Sequence, residues 1–229
     1  ITQFNLEINA KFKPQDSIDL KSKENKKRFT AMMLVCAMFA ICWIAYIQWE
    51  TTIASFTQSI NISMSQYSVL WTINGIMILV AQPLIRPIII LLKGNLKHQM
   101  FVGIFIFMSS FLVTSFANHF AIFVVGMVIL TFGEMFVWPA VPTIANQLAP
   151  VGKQGQYQGF VNSASTVGKA FGPFIGGILV DTFNMSMMFI GMIILLSFAL
   201  LFLSFYDKVL PKNLKNQHQS RGRRNQNGV

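Results

Sequence analysis

The apolar residues of the chain fall into long, unbroken blocks, and short polar turns separate one block from the next. A block of about 20 apolar residues is long enough to cross the ~30 Å hydrocarbon layer of a bilayer as a helix. The pattern therefore predicts an all-α membrane protein with six transmembrane helices. The predicted spans cover approximately residues 29–50, 65–92, 100–117, 120–148, 157–180 and 185–206.

The composition supports a membrane location and argues against several kinds of site. Charged residues make up only 11% of the 229 residues, whereas a soluble domain carries roughly 25%. Cys36 and Cys42 lie in the same predicted span, which argues against a disulfide framework or a metal site. The sequence shows no nucleophile–base pair, phosphate-binding loop or metal-ligand spacing, so we expect neither an enzyme nor a bound cofactor or metal.

The basic residues indicate how the spans are oriented. Of the 18 Lys and Arg residues, 16 fall on one side of the predicted membrane, in segments 1–28, 93–99, 149–156 and 207–229. The loops on the other side carry none. By the positive-inside rule, both termini are expected in the cytoplasm, with 207–229 as a basic tail. The chain has a net charge of +10, but this distribution argues against nucleic acid as its partner and favours membrane lipid. We expect the protein in the plasma membrane.

Two charged residues lie deep inside predicted spans, Glu134 in the fourth and Lys169 in the fifth. An ionised group at the centre of a bilayer helix costs about 2.5–3.5 kcal/mol on insertion scales, so such groups usually have a function. With a rise of ~1.5 Å per residue, both lie about 20 Å from the inner ends of their helices. They can therefore pair directly or face each other across a polar cavity. The alternative is an ion pair that serves only to fix helix packing.

The fifth span carries a polar stripe that includes Lys169. At ~100° per residue, its members share an arc of about 120°. They are Asn162, Ser165, Thr166, Lys169, Pro173 and Gly176. We predict that Glu134 is the proton-coupling group, and that Lys169, Asn162 and Thr166 contribute to coupling or to substrate binding. The alternative for Glu134 is a structural carboxylate near a helix break at Pro139.

Small residues and a proline follow Lys169 closely. The motif consists of Gly168, Gly172, Pro173, Gly176 and Gly177. Small residues four apart allow close helix approach, and a proline favours a bend. The motif predicts a helix that moves against its neighbour, although a static packing seam would use the same glycines. In the second span, Arg86 either extends to the cytoplasmic interface or contacts substrate or a gating loop.

The most specific motifs resemble a known family. GEMFVWP, LAPVGKQGQYQGF and GKAFGPFIGG, between Gly133 and Asp181, resemble spans ten and eleven of proton-coupled multidrug exporters of the major facilitator superfamily. Residues 29–206 resemble the C-terminal half of such a transporter. The resemblance implies two inverted three-helix repeats, which form half of a twelve-helix fold with substrate between the halves. Residues 1–28 would then be a cytoplasmic linker. An N-terminal half is expected to be missing, and the chain starts with Ile, not Met.

The resemblance also implies roles for individual residues. Glu134 would couple to protons or to a cationic substrate, and the glycine–proline motif would correspond to the antiporter motif of span five. The turn LLKGNLKHQMFVG keeps Gly94, Lys97 and Gly103 but lacks the Asp-Arg core of the family, which puts the usual gating ion pairs in doubt.

Taken with the buried charges, the resemblance predicts proton-coupled export of small amphipathic molecules or drugs by alternating access. The expected partners are therefore a small-molecule substrate, protons and the missing half. Proton-coupled uptake of a sugar, peptide or other metabolite is one alternative. A non-transporting membrane scaffold or gene fragment is another.

Overall fold

A computed structural model of the chain describes residues 14–91 and 95–210, and helices fill almost all of this range. The elements are α1 (Pro14–Tyr46), a 3-10 turn (Ile47–Trp49), α2 (Thr52–Ser59), α3 (Met64–Leu91), α4 (Leu96–Thr114), α5 (Phe120–Leu148), α6 (Gln154–Thr182) and α7 (Met185–Val209). The predicted all-α class is confirmed.

Five helical segments are long and apolar enough to cross a membrane. They are Lys23–Ser59, Met64–Ala81, Leu96–Thr114, Phe120–Leu148 and Met185–Val209. The prediction of a multi-pass membrane protein is therefore confirmed. Helix α6 covers the remaining predicted span and has 29 residues, but polar residues such as Asn162 and Lys169 interrupt its apolar sequence. The sixth span and the inverted repeats stay predictions.

Helix α1 is longer than the first predicted span. It begins at Pro14 and continues past the predicted linker boundary at residue 28. Lys, Glu and Arg are good helix formers, and an Arg28–Glu24 ion pair of 2.8 Å joins adjacent turns of the helix. Residue 28 therefore marks a change in polarity and not a helix end. Residues 1–13 of the predicted linker and 211–229 of the predicted tail lie outside the described range.

The predicted outer loop 51–64 contains helix α2, and a reciprocal cap then starts α3. The Ser63 backbone N–H donates to Gln66 Oε1 at 3.0 Å, and the Gln66 backbone N–H donates to Ser63 Oγ at 3.2 Å. This is a capping box, which satisfies two backbone donors that a helix start leaves without partners. Asparagine side chains cap two other helices, Asn95 at α4 and Asn184 at α7.

Helix α1 lies between α6 and α7, and α5 packs most extensively against α4. The α4–α5 contact depends on two small residues. A Cβ added to Gly103 would lie 2.6 Å from Val137 Cγ2 and 3.0 Å from the Gly133 carbonyl oxygen. Because both positions are glycine, the two backbones approach closely, and this contact holds α5 in place beside α3.

Candidate functional site

Glu134 lies on α5 in the interior of the bundle, with only 3% of its surface exposed. Its carboxylate faces α3, where the Asn74 Nδ2 group donates to Glu134 Oε1 at 2.5 Å. The same nitrogen donates to Thr131 Oγ1 at 3.0 Å. Asn74 is itself buried. One amide group therefore ties α3 to two successive turns of α5.

A third helix reaches the carboxylate through Tyr46, the last residue of α1. The Tyr46 hydroxyl interacts with the Glu134 side chain. In the part of the chain that the structure describes, the ion pairs are Arg28–Glu24 and Lys97–Asp207. The partners of Glu134 there are therefore uncharged amide and hydroxyl groups. Helix α5 also continues without a break through Pro139, so Glu134 does not cap an interrupted helix.

Lys169 does not meet Glu134. Its ammonium group lies 4.0 Å from the centre of the Trp43 ring on α1, and its side chain is exposed. The helical phase of α6 explains this placement. Gly168 faces α1, and the next residue is turned by ~100° away from that contact. The structure therefore does not bring Glu134 and Lys169 together as an ion pair.

Two other polar residues of the predicted stripe, Asn162 and Thr166, are exposed with Lys169, and Ser165 is half-buried. Asn162 and Thr166 lie on the open side of α6, where the Thr166 hydroxyl donates to the Asn162 carbonyl oxygen at 2.9 Å. Exposed apolar residues, including Phe171 and Phe174, form a neighbouring face. Within a bilayer, polar groups need protein or a water-filled cavity beside them. The apolar face of α6 therefore suits contact with lipid, whereas the polar face requires protein or water beside it.

Three glycines of the small-residue motif pack against α1. A Cβ at Gly168 would lie 2.5 Å from the Ala40 carbonyl oxygen, and Cβ atoms at Gly172 and Gly176 would overlap Ile47 and Gln48. Gly177 has open space around it. Pro173 is half-buried within a continuous helix. The seam is therefore formed by every fourth residue, Gly168, Gly172 and Gly176.

A buried glutamine in the 3-10 turn that follows α1 reinforces the seam. Gln48 is fully buried, and its Nε2 group donates to the Gly172 carbonyl oxygen at 2.7 Å. The Thr52 hydroxyl in turn donates to Gln48 Oε1 at 2.7 Å. Such a bond between helices is stabilising in a membrane, where water does not compete for it.

Near the start of α4 and the end of α7, Lys97 and Asp207 form an ion pair that the sequence did not predict. Lys97 Nζ on α4 lies 2.8 Å from Asp207 Oδ1 on α7. The departure of the preceding turn from the family pattern had placed such pairs in doubt. Arg86 lies on α3, but its side chain is outside the described residues, so its gating role stays a prediction.

Sequence reasoning did not single out Asn74, Tyr46 or Gln48. An Asn in an apolar span is a visible signal, because an unpaired amide in hydrocarbon is costly. Tyr46 and Gln48 lie at the end of a span, where polar and aromatic residues are common. Their sequence positions therefore carry no comparable signal.

Comparison with known proteins shows a single family. The profile of the Major Facilitator Superfamily matches residues 29–226. YttB of Bacillus subtilis, an uncharacterized MFS-type transporter, is 49% identical over 203 residues, which cover 89% of this chain and 51% of the relative. MJ1560 of Methanocaldococcus jannaschii, another uncharacterized MFS-type transporter, is 32% identical over 119 residues, 51% of this chain and 31% of the relative. The chain spans about half the length of the Bacillus relative.

Proposed function

Because the chain belongs to the Major Facilitator Superfamily, we propose that it is the C-terminal half of a secondary transporter. The complete protein would export small amphipathic molecules across the cell membrane in exchange for protons. Alternating access between two six-helix halves would carry the substrate across. Both termini of this half would be cytoplasmic.

The observation that carries the proposal is a buried carboxyl group held by uncharged partners. An amide N–H donates to an ionised carboxylate, and a tyrosine hydroxyl can either donate to it or accept from its protonated form. Glu134 can therefore take up and release a proton without the breaking of an ion pair. A carboxylate locked to a lysine would lack this freedom. The deep position of Glu134 also agrees with the general finding that ionisable residues in spans mark proton and substrate pathways.

The surroundings of Glu134 support an amphipathic substrate. Trp43, Trp71 and Trp138 are half-buried residues on three helices, and all three rings contact the ring of Tyr46. Lys169 of the polar stripe lies over the Trp43 ring. Ligand sites commonly combine apolar and aromatic walls with a few polar groups.

The glycine seam between α6 and α1 supports movement as well as close contact. Gly168, Gly172 and Gly176 contribute no side chains to this contact, so the Gln48 bond to the Gly172 carbonyl oxygen is the hydrogen bond that a sliding movement would have to break. Under the proposal, this is where α6 shifts when the transporter changes between its inward-open and outward-open states.

The test uses the full-length protein in proteoliposomes and a panel of cytotoxic organic cations. We expect Glu134→Gln, which keeps the size of the side chain, to reduce proton-driven flux to the level of empty liposomes. Exchange of labelled for unlabelled substrate without a gradient should continue, because binding and conformational change remain possible. Glu50→Gln is the matched control, since Glu50 is exposed directly after the 3-10 turn that follows α1. Undiminished proton-driven flux in Glu134→Gln would refute the coupling role, and substrate movement with the protons would refute export.

A further inference from the structure

Two tryptophans from different helices form a stacked pair next to the buried carboxyl group. The rings of Trp43 on α1 and Trp138 on α5 lie 4.8 Å apart and are inclined by only 10°. Phe39 meets the Trp138 ring edge-on at 5.4 Å, and Tyr46 meets it at 5.5 Å. We call Trp43 and Trp138 the tryptophan pair. Phe107 also contacts the Trp138 ring at 5.5 Å, so Trp138 is surrounded by aromatic rings.

The chain places a cation of its own on this pair. Lys169 Nζ lies 4.0 Å from the centre of the Trp43 ring, which is well within the range of a cation–π interaction. Since Trp138 stacks on one face of Trp43, and 4.8 Å leaves no room for an ammonium group between the rings, Lys169 must cover the opposite face. An indole face is the aromatic surface that attracts cations most strongly.

Lys169 is held only loosely in this position. Its side chain is exposed, and it has no carboxylate partner among the side chains that the structure describes. A lysine carries its charge on a flexible four-carbon stem, so it can withdraw from the ring without disturbing α6. The contact therefore differs from the buried Asn74–Glu134 bond, which cannot open without the loss of a buried hydrogen bond.

The pair is also connected to Glu134. The Tyr46 hydroxyl interacts with the carboxyl group, and the Tyr46 ring lies 5.3 Å from the Trp43 ring. On α5, Trp138 follows Glu134 by four residues, so the two side chains lie on the same side of the helix. A cation on the pair would therefore lie near a group whose charge depends on its protonation.

We propose that the tryptophan pair binds the charged group of an organic cation, and that Lys169 occupies this subsite as an internal competitor until the substrate displaces it. The substrate class follows from the occupant, because a surface that holds an ammonium group against an indole face also suits a quaternary ammonium or phosphonium group. The inference rests on the proposed transport function for its biological meaning, but the binding itself requires no proton gradient.

The test is equilibrium binding of radiolabelled tetraphenylphosphonium to the full-length protein in nanodiscs, without a gradient. We expect Lys169→Met to raise the affinity about two- to fivefold, the value of one partly exposed cation–π contact. Lys153→Met, which removes an exposed lysine from the turn before α6, should leave the affinity unchanged. A neutral relative, triphenylphosphine oxide, should bind equally to the wild type and to Lys169→Met.

Substitution of the pair gives a second, independent measurement. The affinity for tetraphenylphosphonium should be highest in the wild type, lower in Trp43→Phe and lowest in Trp43→Leu. The smaller phenyl ring attracts a cation less than indole does, and the aliphatic side chain attracts it least. Trp49→Phe is the matched control, since Trp49 is fully buried and its ring packs against Gly126 on α5. Thermal unfolding of the Trp43 variants, compared with that of Trp49→Phe, shows whether a loss of binding reflects a loss of folding.

Three results would overturn the proposal. They are an unchanged or weaker affinity in Lys169→Met, an equal gain for the neutral compound, and an unchanged affinity in both Trp43 variants. If binding changes as expected while Glu134→Gln retains proton-driven flux, the subsite stands and the coupling role fails. If proton-driven flux depends on Glu134 but the affinity for tetraphenylphosphonium is insensitive to substitution of the tryptophan pair and Lys169, the coupling role stands and the subsite fails.

Discussion

Asn74 is the residue that fixes the orientation of the buried carboxyl group. Its amide nitrogen bonds to both Glu134 and Thr131. Asn74→Leu would leave the carboxylate with one donor fewer in a dry environment, and an unsatisfied buried group of this kind costs about 1–3 kcal/mol, more if it is charged. We therefore expect a clear loss of stability of the detergent-solubilised full-length protein in chemical unfolding. Thr72→Ala, an exposed change on the same helix, should have little effect.

A double-mutant cycle identifies the partner. If the bond to Glu134 causes the loss, Asn74→Leu should cost less in a Glu134→Leu background than in the wild type, because no carboxylate is left unpaired. A coupling energy of at least about 0.5 kcal/mol is typical of residues in contact. Strictly additive effects would contradict the structure.

At the residue scale, the sequence identified the buried acid but not its partner. Glu134 is conspicuous because a charge inside an apolar block is rare. The choice between Asn74 and Lys169 depends on how α3, α5 and α6 are rotated about their axes. An apolar block sets the length of a span but constrains its rotation weakly, since lipid and the protein interior are both apolar. Equal depth of Glu134 and Lys169 was therefore insufficient to predict contact.

At the element scale, the seam between α6 and α1 makes a prediction about two neighbouring glycines. Alanine is a better helix former than glycine by about 1 kcal/mol. Gly177→Ala should therefore be neutral or slightly stabilising, because a Cβ there meets no atom within 4 Å. Gly172→Ala should be destabilising despite the same gain, since its Cβ would overlap Ile47 and displace the Gln48 bond to the Gly172 carbonyl oxygen.

The measurement is thermal unfolding of the two variants in the same detergent. Overpacking typically costs about 1–3 kcal/mol. The unfolding midpoint of Gly172→Ala should therefore lie below that of the wild type, and the midpoint of Gly177→Ala should be equal to it or slightly higher. Equal midpoints would show that α6 does not rest on α1 as described.

Element boundaries show where sequence patterns are informative and where they are not. The polarity change at residue 28 marks the start of an apolar block, but it does not begin or end a helix, because charged residues form helices well in water. The outer segment 51–64 lacks charge and was predicted as a loop, although its Ser63–Gln66 capping box is readable in the sequence. Helix α2 was missed because eight residues are too few for a clear periodic signal.

At the scale of the whole molecule, the multi-pass helical class followed directly from the length of the apolar blocks. The arrangement of the helices did not follow. The position of α1 between α6 and α7 depends on which small residues meet, and glycines occur in several spans. The polar residues Asn162, Thr166 and Lys169 of α6 are also left exposed by the residues that the structure describes. These polar groups fit the proposal that a second half, or a cavity between halves, lies beside α6.

The last prediction concerns the ion pair between Lys97 and Asp207, which joins the ends of two helices far apart in the chain. Both side chains are partly exposed, at 22% and 29%. An exposed pair usually contributes at most about 1 kcal/mol, and like charges in its place are unfavourable. Lys97→Asp should therefore lower the thermal midpoint, and adding Asp207→Lys should recover much of the loss. The effect should weaken at 1 M salt, where the Debye length is about 3 Å.

The Arg28–Glu24 pair provides the matched control. It has the same N–O distance of 2.8 Å, but it joins adjacent turns of one helix. Reversing both of its charges should change the midpoint little, since pairs four residues apart in a helix contribute only about 0.3–0.5 kcal/mol. If exchanging Lys97 and Asp207 fails to restore stability, the pair does not hold α4 to α7. If the exchange restores stability but slows substrate exchange in proteoliposomes, the contact also has to open during transport, and its strength limits the rate at which these ends of α4 and α7 separate.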